Sequence, residues 1–600
     1  MPILSSPGVA VVEKDYSQVV TFNASNNGVV VGDFVKGPIR QPILIDSATR
    51  LEKVFGKPNN SNAGRWFTAF NFLQYSNSLW VIRAAPTGVK AATVTAGGTS
   101  TILNEEEYEN ADDAATYGQW ICKSPGALGN NIMVAAVDAG NFSDFSTWQD
   151  TFEGEVQGYK KFTSYLKNTG TPSTTTYVYN RVTGTDNERN AKNDELHIFV
   201  IDVTGKISGR PMSLLEVFES TSKAADARNV DGTSNYYVDV VNSRSEWVYW
   251  GTAPAAGVLT SGADEVAWGT YISDLEGATP KTFKIFDTAD EFVGAGALRL
   301  VDGADGTTVG DAEAIAAYNT VANPEEFSFT FIMTSDYGMT VVNHCIDNIA
   351  VVRRDCLVFI SPKDTNGPFL DKTTMVTDII DYRNTVNANS YAVMDSGYKW
   401  QFDVYNQKYR WIPLNGDIAG LCARTDSESE PWFSPAGYNR GQIKNVSKLS
   451  TNPSQADRDE LYQNGINPVV TFPGSGTILF GDKTLQKKAS AFDHINVRRL
   501  FIILEKSISE AAKYQLFELN DPFTRAQFRA LVDPFLRTVK GRRGIDDFRV
   551  VCDESNNTEE VVARNEFVAD IYIKPLYSIN YIILNFVAVK SVVQFNQIGG

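Results

Sequence analysis

The apolar residues of this chain alternate between two spacings. In "NVRRLFIILEKSISEAA", Val497, Leu500, Phe501, Leu504 and Ile508 fall at i, i+3, i+4, i+7 and i+11, which is one face of a helix. Asn496 stands where an N-cap is needed. The good helix formers of "SEAAKYQLFEL" extend the pattern, and no Gly or Pro intervenes before Pro522. At "NDP" a second helix is predicted, with Asp521 as its cap and Pro522 in its first turn. Phe528, Leu531 and Phe535 supply its buried face, Pro534 predicts a kink or break, and Gly541 and Gly544 mark its end.

Near the start the spacing is mixed. "GVVVGDFVKGPIRQPILI" reads as strands punctuated by Gly32, Gly37 and Pro38. "SATRLEKVFG" reads as a short helix capped by Ser47 and stopped by Gly56. "AGRWFTAFNFLQYSN" is a second helix, followed by the strand "SLWVIRAA". Buried strands return in "FSFTFIMTSD" and "AVVRRDCLVFISP", with a helix between them, so the opening α/β unit is expected to close around an insertion. That insertion is rich in Thr, Ser, Gly, Asn and Tyr and reads as mainly β, with one or two subdomains. Both ends of the chain read as extended β-prone arms.

The predicted fold class is therefore a multidomain α+β or α/β protein. It has an inner α/β core domain, extended N- and C-terminal β arms and a mainly β outer insertion. The expected divisions are an arm at 1–20, an α/β domain at 21–92 plus 330–372, the insertion at 93–329, a C-terminal domain at 373–580 and an arm at 581–600.

Composition removes several function classes. The chain has 600 residues, 43% hydrophobic and 12% aromatic, enough for real cores. Its net charge of -17 argues against nonspecific nucleic-acid binding, which needs a basic surface. Against that background, the predicted second helix and its end carry Arg525, Arg529, Arg537, Lys540, Arg542 and Arg543 with the single acid Asp533. Such a patch reads either as a solvated helix with partners in the same chain or as a docking surface for an acidic partner. A run of acids, Glu105, Glu106, Glu107, Glu109, Asp112 and Asp113, reads as a solvated face.

Three histidines, His197, His344 and His494, and five scattered cysteines form no standard metal spacing. The cysteines read as buried reduced thiols. "DGADGTTVGDAE" lacks the alternating ligands of a calcium loop and reads as a Gly-rich turn. The phosphate-loop, dinucleotide, zinc-protease and nucleophile-elbow patterns are missing. No catalytic residue and no cofactor are expected, and the start of the chain predicts no signal peptide.

Several segments, taken in order, resemble one family. They are "SPGV", "GPIRQPILIDSATRLEKVFG", "FNFLQYSNSLWVIRA", "PGALGNNIMV", "GDIAGLCARTD", "PWFSPAGYNRGQI", "ELYQNGINPVVTFPGSGTILFGDKTL", "NVRRLFIILEKSI", "FELNDPFTRAQFRALVDPFLRTVKGRRG" and "FVADIYIKPLYSINYIILNF". Together they are similar to the contractile tail sheath proteins of myovirus bacteriophages, above all the large T-even-type sheaths. The likeness covers about residues 1–135 and 340–600. One departure is at Phe480, Gly481, Asp482 and Lys483, where many relatives carry Trp-Gly-Ala-Arg, so an added acid stands beside the conserved charge.

The resemblance implies a structural protein, not an enzyme, that assembles with itself in six-fold helical order around a tail tube. Its implied partners are further copies, the tube protein, and baseplate and tail terminator proteins, with no direct nucleic acid and no membrane insertion. It implies assembly in the host cytoplasm, a final place in the virion tail, and ATP-independent contraction that drives the tube through the host envelope for genome ejection. On this reading the six cations Arg525, Arg529, Arg537, Lys540, Arg542 and Arg543 contact the tube. The inter-subunit arms carry Gly8, Val9, Val11, Val12 and Val19 at one end and Ile582, Ile583, Phe586, Val587, Val592, Val593 and Phe595 at the other. The alternatives are the sheath of a phage-like bacteriocin or secretion device, and a carbohydrate-active enzyme.

Overall fold

The computed structural model describes residues 26–94, 102–111, 117–138, 176–178, 189–191, 195–222, 225–229, 231–252, 297–365 and 367–580. The expected arms, with Gly8 to Val19 and Ile582 to Phe595, lie outside the described residues.

The chain enters through β1 (Gly28–Gly32), β2 (Ile43–Ile45), α1 (Ala48–Phe55), α2 (Ala63–Phe72) and β3 (Leu79–Arg83). The Ser47 side chain accepts from the Arg50 amide, and Gly56 ends α1 at φ 77°, a conformation that favours glycine. After the insertion come β4 (Phe331–Met333), β5 (Leu357–Ile360), β6 (Ala392–Asp395), β7 (Tyr398–Asp403), β8 (Lys408–Pro413), α3 (Asn415–Glu428), β9 (Lys448–Leu449) and β10 (Ile466–Asn467). The chain then forms α4 (Ile495–Ala512), α5 (Pro522–Gly541), β11 (Ile545–Val551) and β12 (Asp570–Pro575).

Seven strands form the central sheet in the order β10-β6-β5-β4-β1-β3-β2. Every neighbouring pair is parallel except β2–β3. A parallel sheet must be covered on both faces, and the alternation along its strands serves two cores. Val30, Leu79, Val81, Phe331, Met333, Leu357, Phe359 and Val393 face α2 and α3. Val29, Val31, Ile82, Ile332, Val358, Ile360, Ala392 and Met394 face helical segments between 311 and 385. β6 and β10 belong to this sheet, so it crosses the division expected at 372/373. Main-chain pairing to distant strands decides that membership, and local periodicity does not report it.

Helix α3 lies tight against α2. A Cβ at Gly416 would meet the Thr68 carbonyl oxygen at 2.5 Å, and one at Gly420 would meet the Tyr75 ring at 2.4 Å. Below this contact, Asp417 accepts from Lys399 Nζ at 2.9 Å and from the Tyr75 hydroxyl at 3.1 Å. Lys399 and Asp417 are fully buried, so each needs the other.

The described part of the insertion has its own antiparallel sheet, formed by 297–299, 132–138, 195–202 and 213–222 in that order. Its core includes Trp120, Ile132, Val134, Ile198, Val200, Tyr237, Trp247 and Val248. Buried Arg83 ties the insertion to the central sheet by donating to the carbonyls of Gly37 at 2.8 Å and Pro125 at 2.7 Å. His197 is part of this β structure, its Nδ1 accepting from the Ser220 amide at 2.9 Å.

Candidate assembly site

Helix α4 sits between two cores. Ile495 and Ile502 enter the central core, whereas Leu500, Leu504, Ile508 and Ala511 pack with Phe528, Leu531, Val532, Phe535, Leu536 and Val539 of α5. This double role explains the unbroken run Leu500 to Leu504. The N-cap is His494, with no side-chain cap, and Asn496 is instead buried in the first turn with its amide near the Leu576 carbonyl. The helix also stops earlier than its composition predicts. A 3-10 turn at Lys513–Gln515 follows Ala512, and Phe517 takes φ 69°.

The two arginines that open α4 are internal. Arg499 pairs with Asp426 of α3, donates to the Cys422 carbonyl at 3.4 Å and lies 5.5 Å from the Phe331 ring centre. Burial pushes the Asp426 carboxyl up, and the adjacent guanidinium opposes that rise. Arg498 stacks on Tyr391 and Phe492 at 4.2 and 4.6 Å and reaches Glu505 at 3.4 Å.

Asp521 caps α5 by accepting from the Thr524 amide at 2.7 Å, with Pro522 in the first turn. The helix does not break at Pro534, and α5 runs from Pro522 to Gly541 with the proline inside it. Proline removes one backbone hydrogen bond at about 3 kcal/mol, and six buried apolar side chains along the helix outweigh it.

The six candidate cations do not form one exposed patch. Arg525 is buried, 7% exposed, and bonds Asn520, so it is not available to a partner as drawn from sequence. Arg529 is half-buried. Lys540 pairs with Asp547 at 2.9 Å and Arg542 with Glu430 at 3.1 Å, both on the surface. Arg537 and Arg543 are exposed and make no ion pair among the described residues. Periodicity located the helix, but neither its rotation nor the acids brought beside it from β11 and 430.

Sequence reasoning missed an apolar surface at the head of α5. Tyr514, Leu516, Phe517, Leu519 and Phe523 are 67%, 65%, 104%, 78% and 75% exposed. Five such side chains within ten residues mark an interaction surface, since single exposed apolar residues are ordinary and clusters are not. The available signal was the adjacency of Leu516 and Phe517, which breaks the helical phase.

The segments that lead into the two expected arms are pinned. At one end the Asn27 side chain donates to the Ser328 carbonyl at 3.0 Å and accepts from Ser78 at 2.7 Å, just before β1. At the other, Ser578 donates to Asp482 at 2.6 Å, and Asn580 bonds Tyr462 at 2.9 Å and His494 at 3.2 Å. Asp482 thus holds the segment that leads into the expected C-terminal arm. Between that segment and the helices, β11 and β12 form an antiparallel ribbon that pairs with no other strand among the described residues.

Comparison with known proteins decides the family. Residues 307–485 match the phage tail sheath protein central domain, and 487–588 match the phage tail sheath C-terminal domain. The tail sheath protein of Vibrio phage KVP40 is 33% identical over 676 residues, covering 100% of both chains. That of Enterobacteria phage T4 is 32% identical over 683 residues, covering 100% of this chain and 99% of its own. The chain belongs to the phage tail sheath family. It is a structural component of the contractile phage tail, in a family of structural proteins.

Solved structures similar to this sheath protein include the sheath tail protein of Listeria innocua, at 10% identity, 92% coverage of each chain and a TM-score of 0.49. The contracted helical sheath of the anti-feeding prophage matches at 19% identity, 46% of this chain, 74% of its own and a TM-score of 0.39. The two matched segments of the sheath protein meet between 485 and 487, ahead of α4. The Arg499–Asp426 pair therefore bridges the central and C-terminal domains.

Proposed function

We propose that this chain is the repeating subunit of a sheath that assembles in the host cytoplasm around a tail tube and contracts without ATP to drive the tube through the host envelope. The observation that carries this reading is the full-length likeness to tail sheath proteins. The geometry adds a route for assembly. Each proposed arm follows a pinned segment, and among the described residues each edge of the β11–β12 ribbon is open to a further strand from a neighbour. Such a link is head-to-tail, so it propagates into a helix instead of closing a dimer. Arms would let whole subunits rotate without parting.

In this proposal the core and C-terminal domain form the inner layer and the insertion faces outward. The tube contact is the exposed head of α5 with its apolar side chains Phe517, Leu519 and Phe523, steered by Arg537 and Arg543. Lys540, Arg542 and Arg529 are secondary. Baseplate and terminator proteins cap the two ends.

Electron microscopy of the purified protein tests the reading. Long hollow tubes of regular helical repeat are expected. A protein that stays monomeric at all concentrations, with and without its tube protein, would overturn it.

A further inference from the structure

The hairpin β7–β8 is built with its polar side inward. Alternation places Lys399, Gln401 and Asp403 on one face of β7 and Trp400 and Phe402 on the other. The polar face is the buried one: Lys399 and Asp403 are fully buried and Gln401 is 3% exposed. Lys399 pairs with Asp417, and Arg410 Nε pairs with Asp403 at 2.7 Å. The hairpin turn is fixed to the loop before α2 by Asn406, which donates to the Pro58 carbonyl at 2.9 Å.

The aromatic face looks outward. Trp400 opposes Trp411 and Phe402 opposes Tyr409, with ring centres 4.6 and 5.1 Å apart. Phe402, Val404 and Tyr409 are 39%, 54% and 49% exposed. A slip of one residue would bury these rings, so the buried ion pairs hold them out. A rigid aromatic surface displayed in this way is the composition of a protein interface.

Its surroundings specify the occupant. Exposed Lys448 lies 5.3 and 5.5 Å from the ring centres of Trp400 and Trp411. Exposed Lys408 flanks Tyr409. Trp411 also borders a cavity of about 480 Å³, lined in part by Asn60, Asp336, Lys363, Tyr398 and Arg410. The Asp336 carboxylate is engaged by Arg65 at 2.9 Å, whereas Lys363, among the described residues, donates to the Asp336 main-chain carbonyl at 2.6 Å and to no carboxylate. The Tyr398 residue is 3% exposed, and its hydroxyl has no hydrogen-bond partner among the described residues. The wall therefore offers the Lys363 cation beside an aromatic platform, with the buried Tyr398 behind it.

We infer that this face binds a second copy of this chain, with a carboxylate side chain of that copy entering the cavity beside Tyr398 and Lys363. The inference rests on the sheath reading. Charge complementarity selects the partner: each copy exposes an acidic stretch at Glu105, Glu106 and Glu109, which suits a cation-rimmed aromatic face on another copy. The contact joins two different surfaces and so can repeat along a helical array.

Two experiments on the full chain test it. A photo-crosslinking residue at Tyr409, activated in assembled sheaths, is expected to give covalent dimers. Mass spectrometry of those dimers should find Tyr409 joined to an Asp- or Glu-rich peptide of another copy. The double variant Phe402→Ser/Tyr409→Ser, changed only at exposed positions, is expected to keep the wild-type circular dichroism and lose at least tenfold in pelletable sheath. Crosslinks confined to one copy or to the tube protein would overturn the inference. So would sheath yield within twofold of wild type, or a glycan array on which wild-type protein binds through this face while assembly is unaffected. Wild-type protein run alongside separates the two failures: if it forms no sheath, the proposed function itself falls.

Discussion

Asp426→Ala should loosen the joint between the central and C-terminal domains more than any surface change. The Arg499 and Asp426 side chains are 1% and 3% exposed. Among the described residues, Nε and one terminal nitrogen of Arg499 already have no hydrogen-bond partner. Removing Asp426 leaves a guanidinium whose remaining contacts are the Cys422 carbonyl and the Phe331 ring. Breaking a buried pair from one side costs roughly 3–5 kcal/mol, because the surviving charge stays buried. Replacing both members, Arg499→Met with Asp426→Leu, removes the charge and the desolvation together, so its stability should lie within about 1–2 kcal/mol of wild type. Hydrogen exchange of peptides from α3 and α4 in the unassembled subunit reads the local opening free energy. A single-variant loss below about 1 kcal/mol, or a double variant as damaged as the single, would refute the reasoning.

Arg537→Glu with Arg543→Glu should weaken co-sedimentation with tubes, most at low salt, and leave the fold intact; an unchanged salt profile would count against it. Arg525→Glu, by contrast, should lower monomer stability by about 2 kcal/mol or more, measured by urea unfolding, since it replaces a buried donor bonded to Asn520 by a carboxylate that cannot make those bonds. Deleting residues 1–18 should leave a folded monomer that no longer polymerises, and normal sheaths by electron microscopy would remove the arm from the mechanism. Burial pushes Asp395 well above its ordinary 3.8. The folded state then keeps a proton that the unfolded chain has released, so stability falls as pH rises above about 4 through the raised value. Asp395→Asn should flatten that slope in unfolding curves taken across pH, and an unchanged slope would place the effect elsewhere.

Local chemistry made much of the fold legible. Ser47, Gly56, Asp521 and Pro522 each act within a few residues of their own position, and each was readable. The core-facing residues of β1, β3, β4 and β5 were legible as buried strands, whereas those of β6 and the strand order were not, because register depends on partners about 300 residues away. Asn496 misled because the helix begins two residues earlier than that cap implies, at Ile495, leaving the asparagine inside it. Pro534 misled because packing along α5 outweighs one lost hydrogen bond. The candidate site was the least legible part. A charge count finds cations on a helix, but burial of Arg525 and the pairing of Lys540 and Arg542 depend on residues remote in sequence. The β7–β8 hairpin shows the same limit, since alternation tells which residues share a face and not which face turns inward.

The account rests on a sheath that changes length while its subunits stay folded. Cryo-electron microscopy of sheaths assembled on tubes, before and after triggering, measures this directly. The account predicts a shorter, wider sheath after triggering, with the central sheet and the α4–α5 pair superimposable and the arms still joining neighbours. A sheath of fixed length, or one that shortens only by refolding these domains, would contradict it.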